Sequence, residues 1–217
     1  TLLAIALPYL VASRLGSIDH HFLEPPLLFG ILGTTALLHR ARGPGSIARY
    51  GAFFGIALTL ALFVQTALLL AAAVSALAIL FFASEERAPR WAGAVGFAIA
   101  ALGVLLYRLA QPPGYPNDAW YLGVPHAAAL LAAAIASAAG AFLLSRSVSP
   151  RSAGVLAVLL AGVCWAAVPG AVTAAVEGSR FFGGDPWLST IVEFQPLFYQ
   201  GRVKLWEGLC RLGGGAL

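Results

Sequence analysis

Between residues 24 and 176 the chain is a succession of long apolar runs joined by connections of a few residues, and this alternation constrains its fold more than any other feature. The runs cover residues 24–39, 47–64, 66–83, 91–109, 121–144 and 152–176, with a partial run at 1–13. A bilayer core ~30 Å thick takes about 20 apolar residues per helical span. Only helices and closed barrels satisfy their backbone groups in that medium. Period-two alternation is absent and Ala, Leu and Val dominate, so each run predicts a helix. Gln65 and its neighbours interrupt a run too long for one helix, which predicts a tight hairpin there. The expected fold class is all-α, a polytopic transmembrane helix bundle.

Composition excludes the main alternative, an ordinary soluble domain: 60% of residues are hydrophobic, 10% are charged and the mean hydropathy is +0.86. A net charge of +4 and a pI near 9.4 would point a soluble protein toward nucleic acid. Here the Arg residues sit mostly in short connections, so the expected partner is a lipid bilayer and no nucleic acid. Cys164 and Cys210 lack the spacing of a metal site or disulfide framework. The chain begins at Thr1, contains no Met and ends at Gly213-Gly214-Gly215-Ala216-Leu217, and so reads as an internal piece of a longer protein. Residues 1–217 are expected to be a partial transmembrane domain, about six full spans plus one partial span.

Three connections carry clustered Arg: Arg40, Arg42 and Arg49, then Arg87 and Arg90, then Arg146 and Arg151. The positive-inside rule makes these cytoplasmic. Residues 14–24, the turn at Gln65, the segment 111–120 and the loop 177–217 are then extracytoplasmic. Asp19, Glu24, Asp118, Glu177, Asp185 and Glu193 all fall in those outer segments. An even number of spans separates Asp19 from Glu193, so the two should share a face.

Ionisable groups at a membrane surface are functional candidates because they cost free energy unless solvated, paired or bound to a cation. Asp19-His20-His21, followed by Glu24, joins hard carboxylate oxygen to imidazole nitrogen, which suits a divalent ion such as Mn²⁺. The simpler reading is a helix start, with Asp19 as cap and Glu24 at the positive dipole end. A second cluster, Thr190-Ile191-Val192-Glu193, follows a Gly- and Pro-bearing stretch and is suited to run extended across the mouth of a site. Two associations of Asp-His-His fail on context: the palmitoyltransferases need Cys where Phe22 stands, and the phosphoesterases need a parallel sheet. Arg108 and Asp118 read as solvated loop residues, His39 as cytoplasmic, His126 as a packed interior residue, and Glu177 and Arg180 as the end of a span.

Taken together, Arg14, the Asp19-His20-His21 cluster and the much later Thr190-Ile191-Val192-Glu193 resemble the catalytic subunit of asparagine-linked oligosaccharyltransferase, of archaeal or bacterial type. That family has a C-type glycosyltransferase fold, an outer Asp-x-His or Asp-x-Glu motif, and six spans later a Thr-Ile-x-Glu loop. The resemblance implies that Asp19, His21 and Glu193 bind one Mn²⁺ or Mg²⁺, with Asp19 and Glu193 catalytic. It implies that Thr190, Ile191 and Glu193 hold the acceptor, and that Arg14 and Arg202 contact lipid phosphate. The implied partners are a polyprenyl-linked oligosaccharide and an acceptor protein or peptide, at the extracytoplasmic face of a prokaryotic plasma membrane. The family's first acidic motif and its Trp-Trp-Asp domain are missing, so the piece alone is expected to be inactive. A related polyprenyl-phosphate-sugar glycosyltransferase would share the outer Asp but not the Thr-Ile-x-Glu loop. A transporter would place polar or broken helices near the midplane, whereas a scaffold would need none of these motifs.

Overall fold

A computed structural model describes residues 23–82, 86–112 and 121–183, and every regular element among them is helical. In order these are α1 (Glu24–Leu38), α2 (Pro44–Val64), a 3₁₀ turn (Thr66–Leu68), α3 (Leu69–Leu77) running into a π turn (Ala78–Phe82), α4 (Arg87–Leu109), α5 (Val124–Ser145), α6 (Pro150–Ala166) and α7 (Ala171–Gly183). The chain divides into two compact units. Pro26–Val176 forms the bundle described below. The other is drawn from the two ends of the chain, and within the described residues it holds only the start of α1 and the end of α7.

The helix boundaries follow from local chemistry. At α2, Gly43 is extended, Pro44 supplies a φ already suited to a first turn, and Ser46 Oγ accepts the N–H groups of Arg42 and Gly43 at 2.9 and 3.1 Å. At α6, Ser149 Oγ accepts the N–H of Ser152 at 3.2 Å, again with Pro at the first position. Gln65 turns extended and ends α2, which divides the long run between 47 and 83 in two as its length requires. α5 closes with a Schellman arrangement, in which Val148 N–H reaches Leu143 O, Ser147 N–H reaches Leu144 O, and Ser147 takes the left-handed conformation at φ 60°.

Among the described residues α2, α4 and α5 are long and apolar enough to cross a membrane, and a fourth span is formed if the bent pair α6 and α7 counts as one. α1 and α3 are shorter apolar helices. The expected single span over 152–176 is broken: α6 stops at Ala166, Val168-Pro169-Gly170 form a turn with Gly170 at φ 82°, and the chain resumes at an angle of 98°. Apolarity runs straight through this break. Proline lacks the N–H needed to continue the helix, and glycine accepts the positive φ that reverses the backbone.

Packing relies on small residues. A Cβ on Gly55 would lie 2.6 Å from Gly96 O, and one on Gly51 would lie 2.7 Å from Ala92 O, so α2 and α4 touch backbone to backbone. Contacts climb together along both helices, 51 with 92 and 55 with 96, ending where the Phe63 and Tyr107 rings stand 5.3 Å apart. These helices are therefore parallel. Beside the seam, Phe54 meets Phe97 edge to face at 5.1 Å. Ala61, Ala92, Ala100, Ala101 and Ala141 fill much of the rest. Close approach through small side chains is how helices associate where lipid is as apolar as the protein. Phe53, Leu60, Phe63, Leu70, Leu106, Leu159 and Val163 all point outward and are exposed. Apolar surface on this scale marks a lipid-facing exterior.

Candidate functional site

Arg14, Asp19, His21, Thr190, Ile191, Glu193 and Arg202 lie outside the described residues. Asp19 precedes the first residue of α1 by five positions, and Thr190 follows the last residue of α7 by seven.

One end of the bundle gathers the Arg-bearing connections. Arg42, after α1, forms an ion pair at 2.6 Å with Glu86, just before α4. The Arg90 guanidinium, on the first turn of α4, donates to Leu80 O at 2.9 Å, Gly140 O at 3.2 Å and Pro150 O at 3.5 Å. These contacts unite the end of α1, the starts of α2, α4 and α6, the π turn and the end of α5. Sequence reasoning treats Arg90 as an orientation mark in a connection, yet it is 1% exposed. Gly140 makes room for it, since a Cβ there would stand 3.0 Å from Nη1. Its Nε has no partner among the described residues. The sequence hint was a small residue on α5 at the level of the Arg, visible only once the two helices are aligned.

The opposite end gathers the other termini. Leu105 near the end of α4, the first half of α5 from Val124 to Ile135, Cys164 and Trp165 at the end of α6, and Val168 just beyond it line an apolar groove of 240 Å³. His126 stands at the same level, 4% exposed, with Nδ1 accepting the Gly123 N–H at 3.3 Å. It acts as an N-terminal cap in the interior, as its sequence context suggests. α1 ends at the Arg-bearing end, and from there α2 to α6 alternate in direction between the two ends.

Metal chemistry would rest on the Asp, His and Glu donors at 19, 21 and 193. Among the described residues no group of three His, Cys, Asp or Glu side chains could hold an ion. Compared with protein-family models, with curated proteins and with solved structures, the chain finds no match in any of the three.

Proposed function

We propose that the chain is the membrane part of an oligosaccharyltransferase-like enzyme, moving a glycan from a polyprenyl (pyro)phosphate lipid to asparagine of an acceptor protein. The C-type glycosyltransferase-like arrangement of its helices belongs to this proposal. What supports it is the order of the two motifs, Asp19-His20-His21 before α1 and Thr190-Ile191-Val192-Glu193 after α7, on either side of helices apolar and long enough to cross a membrane. In this reading the two motifs, separated by more than 160 residues, act on a common face. That face would be extracytoplasmic.

In this reading Asp19, His21 and Glu193 hold Mn²⁺ or Mg²⁺, a mixed oxygen and nitrogen set that suits either ion. When bound, the ion would supply Lewis acidity to the departing phosphate. Glu193, flanked by Thr190 and Ile191, would hold the acceptor amide, and Arg14 and Arg202 would pair with phosphate oxygens through planar guanidinium groups. The test is transfer of a lipid-linked glycan to an Asn-x-Ser/Thr peptide by the full-length protein carrying Glu193→Gln. Loss of at least about 100-fold is expected when a charge-stabilising group is removed from the reacting centre. Unchanged transfer would overturn the proposal.

A further inference from the structure

The 98° bend after α6 separates two jobs that the sequence runs together. α6 has 17 residues, which at 1.5 Å per residue is ~26 Å and close to the thickness of a hydrocarbon core. Its exposed apolar band runs through Val155, Leu159 and Val163 to the end of the bundle where the chain leaves. A helix turned through a right angle at that level runs along the membrane surface. Over residues 171–177, where its side chains are described, the helix has three distinct faces. Ala171 and Ala174 are buried, Val172 and Val176 are more than half exposed one helical turn apart, and Thr173 and Glu177 take a third direction. Four-residue spacing puts each pair on its own strip of the helix.

We propose that α7 is an interfacial helix, lying in the plane of the bilayer with Val172 and Val176 seated in the acyl region beneath the headgroups and Thr173 toward water. Its partner is the lipid surface itself. Exposed apolar residues stand on both sides of the Pro169-Gly170 turn: Val163 before it, Val172 and Val176 after it. Helices of this kind bury an apolar face ~5–10 Å into the boundary between headgroups and chains.

Nitroxide labels at single cysteines replacing Val172, Thr173 and Val176, in the full-length protein with its native cysteines replaced and reconstituted in phosphatidylcholine vesicles, test the proposal. Relative collision with oxygen and with an aqueous nickel chelate reads depth. An interfacial helix puts 172 and 176 at one depth, with 173 open to the chelate. A helix continuing across the membrane sets 172 and 176 ~6 Å apart in depth, and that result overturns the proposal. So does shielding of 172 and 176 from both quenchers, which means protein covers them. Exposed Ala175 provides a replacement label site if the Val172 variant does not fold.

Discussion

Single glycines decide how this bundle packs, and they are not equivalent. Gly55 faces the backbone of α4, where a methyl would meet Gly96 O at 2.6 Å, and backbone cannot rotate aside. Gly140 faces the far end of a flexible Arg, at 3.0 Å. Gly33 has nothing within 4 Å. Gly55→Ala should therefore cost about 1–3 kcal/mol through overpacking. Gly33→Ala should be neutral or gain up to ~1 kcal/mol from helix propensity. Denaturant unfolding in detergent micelles ranks the two, and equal effects would contradict the seam. Arg90 makes the complementary point about what a sequence conceals. Its placement beside Arg87 reads as a charged connection. Burial depends on carbonyls from the π turn, α5 and α6, which no local pattern announces.

At the level of elements, the helices themselves were legible because apolar periodicity and run length are what a bilayer selects. The break at Gln65 was legible for the same reason, since 47–83 is too long for one crossing. The break at Pro169-Gly170 was not, although both are helix breakers, because a hydropathy run carries no information about φ. Gly170 sits at φ 82°, where any side chain is strained. Gly170→Val should lower stability by ~1–2 kcal/mol, with the loss read from the same unfolding assay. A Val tolerated at no cost would mean the turn does not need that conformation. Ser147 at φ 60° offers the converse. Ser147→Gly relieves a left-handed L-residue and should raise stability by up to ~1 kcal/mol.

For the molecule as a whole, the alternation of α2 to α6 yields a prediction about sidedness. Cysteines at exposed Ser147 and Ser149, in the connection before α6, should react with an impermeant thiol reagent only from the face that Arg40 and Arg87 share. Cysteine at Gln65 should react only from the other. Labelling of all three from one side would undo the alternating arrangement. The candidate site was legible in the sequence only as spacing: Asp19 and Glu193 stand out because charge is scarce, and both lie outside the described residues. The ion pair between Arg42 and Glu86, in contrast, is well exposed and should contribute under ~1 kcal/mol. Its value is as a marker of which connections meet.

The glycine seam between α2 and α4 limits how the molecule can move. Sliding helices need intervening side chains that can rearrange as one ridge passes the next, and two backbones in direct contact have none. α2 and α4 form, in effect, a single double-width rod. Any opening of the bundle must be carried by helices other than this pair.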